Sequence, residues 1–179
     1  MAHLVWLDLE MTGLDPESER IIEIATIVTD HDLNVVAEGP NIVINQSLEL
    51  LNSMDAWNTK QHMESGLTNQ VKVSRISEAD AEKETLEFLA KYLKPGQSPL
   101  CGNTISHDRR FLLKYMPKLA SFFHYRNIDV TSVKLLADIW SNIGDARVNS
   151  DSKHRALDDV YDSIKELKYY KENFLVCNK

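Results

Sequence analysis

Apolar positions along this chain fall into two rhythms, and the change comes near residue 48. Before it, HLVWLDLEM (3–11) and RIIEIATIVTD (20–30) are compact apolar runs, followed by the shorter NVVAE (34–38) and NIVIN (41–45). Short apolar runs of this kind, bounded by polar turns, predict strands. The first two are joined by TGLDPESER, whose Gly13 and Pro16 suit a hairpin connection. Beyond residue 48, residues 48–66 and 67–74 predict short helices. EADAEKETLEFLAKYLKPG predicts an amphipathic helix with Ala81, Leu86, Leu89, Ala90 and Leu93 recurring at helical spacing. Ser77 and Asp80 supply a cap signal at its start, and Pro95-Gly96 a stop.

From there strand and helix alternate. SPLCGN predicts a strand, ISHDRRFLLKYM a helix, NIDV a strand and TSVKLLADIW a helix. NIGDARVNSDSKH is polar and aperiodic and predicts a loop, and a last helix runs from about His154 to Asn173. A strand-rich opening followed by alternation predicts an α/β or α+β architecture around a mixed sheet. One domain of 179 residues, with its core over about residues 3–173, accommodates all of it.

Composition narrows the class. Hydrophobic residues at 43% and charged residues at 26% fit a soluble globular chain and exclude disorder and fibrous repeats. No apolar run approaches the ~18 residues of a membrane span, and MAHLVWLDLE does not read as a signal peptide. Cys101 and Cys177 are too few for a disulfide framework and lack metal-ligand spacing. A cytoplasmic protein without a membrane partner is the expectation. Lys and Arg number 20 against 27 Asp and Glu, a net charge of −7. That balance disfavours an extended grip on long duplex nucleic acid, which takes a basic footprint.

Within this pattern certain acids stand where apolar residues belong. Asp8 and Glu10 are two apart in the first strand, so both point to one face with Trp6, while Val5, Leu7 and Leu9 take the other. Neighbouring carboxylates in an apolar strand repel and lose hydration unless a cation binds them. Asp108 lies within the core stripe of its helix, marked by Ile105, Leu112, Tyr115 and Met116, with Arg110 on the solvent side. In HRALDD, Asp158 projects away from the apolar face and Asp159 lies on its flank. His154 falls on the entry loop, free to approach the same cleft, and the small Ala156 permits close packing. Four acids and one histidine from separate elements fit a pair of hard divalent cations. Two such ions about 3.5–4 Å apart clamp the attacking and leaving oxygens of a phosphoryl displacement. An imidazole beside them suits deprotonation of the attacking water.

VWLDLEMTGLDPESERIIEIA, GNTISHDRRFLLKYMP, HYRNIDVTSVKLLA and HRALDDVYDSIKELKYY together resemble the oligoribonuclease family, in the histidine-bearing branch of the DEDD exonucleases. The resemblance keeps motif order over nearly the whole chain. It implies an RNase H-like exonuclease fold, a five-stranded mixed sheet flanked by helices, in a homodimer. It also implies 3′-to-5′ hydrolysis of very short single-stranded RNA, dinucleotides especially, to 5′-mononucleotides with two Mg2+ or Mn2+ ions. By the same resemblance Asp8, Glu10, Asp108 and Asp159 are the metal carboxylates and His154 the general base. Tyr125 matches an active-site tyrosine and Arg126 a phosphate contact, both reaching the neighbouring subunit's site. Leu14, Trp57 and His62 match positions that wedge, stack on or contact bases, and Thr104 and His107 lie where the substrate's 5′ end is held. Ser106 and His107 depart from the glycine and glutamine of the family pattern.

Two other readings make different demands. An exonuclease that trims long strands calls for a basic track, and this chain has only local pairs such as Arg109-Arg110. A non-catalytic binding module on the same fold is expected to lose acids, and all four are present. Two divalent cations would restore about four positive charges, and a dinucleotide presents few phosphates to hold. The acidic balance therefore favours a short substrate.

Overall fold

The computed structural model describes residues 3–141, residue 143 and residues 154–175. The predicted loop before His154 lies almost wholly outside these residues, as does Cys177. Strand β1 (Leu4–Met11) runs through the middle of the sheet, antiparallel to β2 (Ile21–Thr29) and parallel to β5 (Leu100–Gly102). With β3 (Val35–Glu38) and β6 (Asn127–Asp129) the order is β3-β2-β1-β5-β6. The expected five-stranded mixed sheet is this path. A sixth strand of two residues, β4 (Ile42–Val43), also pairs with β2.

Helices cover both faces, which is why β1 and β2 are almost continuously apolar. The pleat of β1 sorts its side chains between two cores. Val5, Leu7 and Leu9 pack with residues of α4 (Glu78–Leu89), α5 (Ile105–Tyr115) and α6 (Pro117–Phe122). Trp6 packs on the other side with residues of α7 (Val130–Trp140) and α8 (Ala156–Asn173). Three short helices, α1 (Leu48–Ser53), α2 (Ala56–Glu64) and α3 (Leu67–Val73), form the connection to α4. No helix among the described residues is long and apolar enough to cross a membrane.

Two boundaries differ from the sequence pattern. Helix α4 opens on the expected capping box between Ser77 and Asp80, but it ends at Leu89 rather than at Pro95. The amides of Lys91 and Tyr92 donate to the carbonyls of Phe88 and Leu89, a tightening into i−3 turns that still buries Leu93. Helix α6 has no counterpart in the predicted elements. Its first free amides, of Lys118 and Leu119, donate at 2.7 and 3.0 Å to the carboxylate of Glu82 on α4. A cap supplied from so far along the chain leaves no local signature beyond Pro117 at the first turn.

Candidate active site

Asp8 and Glu10 project from β1 toward α8, on the Trp6 side of the sheet. Asp159, in the first turn of α8, meets them there. Each of the three carboxylates places an oxygen within 4.8 Å of the others. Its neighbour Asp158 is exposed, as the helical pattern requires. Asp108 arrives from the opposite layer because α5 starts directly after β5, the parallel neighbour of β1. The close fit of these strands needs Gly102, where a Cβ would sit 2.8 Å from the Leu7 carbonyl oxygen. Only 5% exposed, Asp108 accepts a hydrogen bond at 3.0 Å from the amide of Leu9, the residue between Asp8 and Glu10.

Crowding and desolvation set the charge of this cluster. Burial, then the charges of Asp108, Glu10 and Asp159, hold Asp8 well above the usual carboxylate range. Glu10 is pushed up to about 8, first by burial and then by the neighbouring Asp159. Asp108 rises to about 7 through burial, partly offset by the Leu9 hydrogen bond. Carboxylates that resist ionising together are short of positive charge, and hard oxygen donors in this number are what a divalent cation takes.

The other expected site residues lie at different depths in the structure. His154 has a left-handed backbone, φ 49°, and its ring meets Trp57 edge-on at 5.7 Å. Trp57 is 59% exposed on α2, so it is a surface residue rather than a core one. Leu14 is 73% exposed at the tip of the β1–β2 turn. The buried Thr12 closes that turn, its hydroxyl donating to Glu19 and accepting from the Arg20 amide. A Cβ on Gly13 would collide with the Glu19 side chain at 2.8 Å. His62, by contrast, is 2% exposed, with Nε2 2.9 Å from the Met11 carbonyl and Nδ1 3.9 Å from Glu10 Oε2. Met11 follows a register break in β1, a kink that turns the chain toward Leu14.

Thr104 is the second strained residue here, a β-branched side chain at φ 49°. Its amide donates to Asp129 Oδ1 and Thr131 Oγ1, each at 3.0 Å, which ties the start of α5 to the start of α7. His107 packs against the ring of Phe111 at 5.5 Å. Tyr125, 74% exposed ahead of β6, has the rings of His124 at 4.4 Å and the Arg126 guanidinium at 5.3 Å as neighbours.

One further acid escaped the sequence reading. Glu23 is fully buried on β2, directly opposite Glu10. Both its oxygens are engaged by Arg155, the shortest contact being 2.6 Å, and one also accepts from the Ala156 amide at 3.1 Å. The signal was available: Glu23 interrupts RIIEIATIVTD as Asp8 interrupts the first strand.

Solved structures share this architecture. An exonuclease I structure aligns at a TM-score of 0.74 with 16% identity, over 96% of this chain and 41% of its own. E. coli exonuclease I with single-stranded DNA, in metal-free form, aligns at 0.72 with 17% identity, over 97% and 40%. This chain thus spans about two-fifths of the exonuclease I length. A family model described as exonuclease matches residues 5–167. Fold and site define a nuclease of the exonuclease class. The oligoribonuclease of Marinobacter nauticus is 61% identical over 171 residues, 96% of this chain and 95% of the relative. Those of Legionella pneumophila and Bordetella pertussis are 58% and 57% identical, over 97% and 96% of this chain and 92% and 95% of their own. The chain belongs to this exonuclease family, in its oligoribonuclease branch.

Proposed function

We infer that the protein is a 3′-to-5′ exoribonuclease that degrades short oligoribonucleotides, dinucleotides above all, to 5′-mononucleotides. The observation that carries this reading is the meeting of Asp8, Glu10 and Asp159 within 4.8 Å, beside the buried Asp108. The donor set suits hard cations, and two Mg2+ or Mn2+ ions would be held by these four carboxylates. Bound there, they supply Lewis-acid polarisation of the phosphoryl oxygens and neutralise developing charge.

The protein's own groups do the rest. Trp57 stacks on a base and Leu14 wedges between bases. His62, expected from the resemblance to contact a base, lies buried behind Glu10 and backs that carboxylate instead. Thr104 and His107 hold the 5′ side. A water oxygen bonds to the scissile phosphorus as the bond to the 3′ oxygen of the preceding nucleotide breaks. His154 takes the water's proton, and the departing 3′ oxygen leaves with the bonding pair and gains a proton from solvent. Tyr125 and Arg126 complete the site of a second copy. Their exposure, and the exposed Leu135, Ile139 and Trp140 on the following helix α7, support a homodimer. The whole chain acts as one exonuclease domain, in the cytoplasm, on single strands.

The names of the 57–61% identical relatives support the substrate class. The test compares turnover of labelled RNAs, from dinucleotides to strands far longer than one site can span, with Mn2+ and with chelator. Fastest turnover of the dinucleotide, abolished by chelation, is the expected result. Preference for the longest strands overturns the reading.

A further inference from the structure

We propose that Arg155 and Glu23 form a positioning clamp that sets His154 and Asp159 against the β1 acids and registers them with the base-stacking helix α2. The inference rests on the reading of His154 and Asp159 as proton acceptor and metal ligand. It concerns residues that touch neither substrate nor cation. Asp8 and Glu10 belong to one strand, so their spacing is set locally. His154 and Asp159 come from the far end of the chain, and something must fix where α8 begins.

Glu23 does this from the adjacent strand. It pairs across the sheet with Glu10, so its position is tied to the acid cluster by the β1–β2 ladder. Its carboxylate grips Arg155 Nε and Nη2 at 2.6–3.1 Å and caps the Ala156 amide at 3.1 Å. Helix α8 has no cap from its own N-cap side chain, so the anion that a helix start favours is supplied by β2. With both oxygens so engaged, Glu23 is the acid of the neighbourhood that is not offered to a cation. The bidentate grip fixes direction as well as distance. It holds the chain between His154 on one side and Asp159, one helical turn on, at the other.

The same guanidinium reaches a third element. Arg155 Nη2 also donates to Gln70 Oε1 on α3 at 2.9 Å. Helices α2 and α3 follow one another through the left-handed Gly66, and α2 presents Trp57 to His154. Arg155 therefore ties the stacking platform and the proton acceptor to a single anchor on the sheet.

Three variants of the full-length protein test the clamp: Arg155→Lys, Glu23→Gln and Gln70→Ala. Lysine keeps the charge and loses the two-pronged geometry. Measured are kcat and KM on diadenylate, Mn2+ affinity by calorimetry without substrate, and melting temperature. For Arg155→Lys and Glu23→Gln, kcat and Mn2+ affinity are expected to fall roughly 10–100-fold, the usual loss when a ligand's supporting partner goes. Gln70 is exposed, so Gln70→Ala retains the fold and Mn2+ affinity while KM rises about threefold to tenfold. Wild-type kcat and Mn2+ affinity in Arg155→Lys overturn the clamp, as does a loss no larger than the unfolded fraction at the assay temperature. If the first two variants do not fold, an unchanged KM in Gln70→Ala overturns it. His154→Ala and Asp159→Asn run alongside: if both stay fully active, the underlying site reading fails, whereas if both are dead and the clamp variants are normal, the clamp alone fails.

Discussion

The imidazole of His62 faces the carboxylate of Glu10, Nδ1 against Oε2 at 3.9 Å. Its other nitrogen lies 2.9 Å from the Met11 carbonyl, an acceptor that can only take a proton from Nε2. The ring is therefore the Nε2–H tautomer, with a bare lone pair turned toward the acid cluster. Burial keeps this histidine neutral, its pKa below the ordinary 6.5. In nitrogen-resolved NMR of the metal-free protein, His62 is expected to show the Nε2–H pattern and to titrate below 6.5. A midpoint at or above that value contradicts the assignment.

The raised carboxylates make metal-free stability depend on pH, with a definite sign. Glu10 at about 8 and Asp108 at about 7 lie above their ordinary 4.5 and 3.8. The stability they contribute is full below the ordinary values and is lost as pH rises through 7 to 8. In EDTA the melting temperature is expected to fall from pH 5 to pH 8. Adding Mn2+ should raise it more at pH 8 than at pH 5. A flat profile in EDTA contradicts the crowding of these acids.

Asp108→Asn separates stability from function. Asparagine keeps an oxygen for the Leu9 amide and removes a buried charge. At pH 8 without metal the variant is expected to gain about 1–3 kcal/mol, with each kcal/mol raising the midpoint by about 2–4 °C. Metal-dependent cleavage should fall by more than the ~10–100-fold attached to outer-shell changes. Thermal melts and dinucleotide turnover together decide it. An active Asp108→Asn enzyme removes Asp108 from the metal site.

Trp57 and Trp6 should respond in opposite ways to truncation. Trp57 is exposed, and stacking on a base is worth about 1–3 kcal/mol. Trp57→Ala is expected to raise KM for a dinucleotide roughly 5–150-fold while the melting temperature stays within a degree or so. Trp6 is fully buried, its indole donating to Thr29 at 3.0 Å, and Trp6→Ala should cost about 3–5 kcal/mol of stability.

The homodimer reading predicts that a charge on the outer face of α7 has a catalytic cost. Ile139 is exposed in the single chain. Ile139→Glu is expected to sediment as a monomer and to lose turnover in parallel with Tyr125→Ala. A wild-type protein that sediments as a monomer at full activity removes Tyr125 from the site.

Much of this molecule is legible in linear patterns because its determinants are local. β1 and β2 follow from unbroken apolar runs between turn residues, and α4 begins where Ser77 and Asp80 make a capping box. Asp8 and Glu10 share a face because strand periodicity is two, and the buried Asp108 falls on the core stripe of its helix for a similar reason. Less legible were features whose partner is remote. Helix α6 depends on Glu82 for its cap, and the start of α8 depends on Glu23.

The sequence by itself determined which elements form and which acids are out of place, since periodicity and turn chemistry act over a few residues. Only the tertiary structure decided how those acids meet. The parallel β1–β5 pairing carries Asp108 to the Leu9 amide, and α8, packed on the Trp6 face, carries Asp159 to Asp8 and Glu10. Tertiary packing likewise left Trp57 on the surface and buried His62 behind Glu10, though one short helix carries both. The physical reason is that side-chain environment depends on which layers cover a face, and chain order alone does not say which helix will cover it.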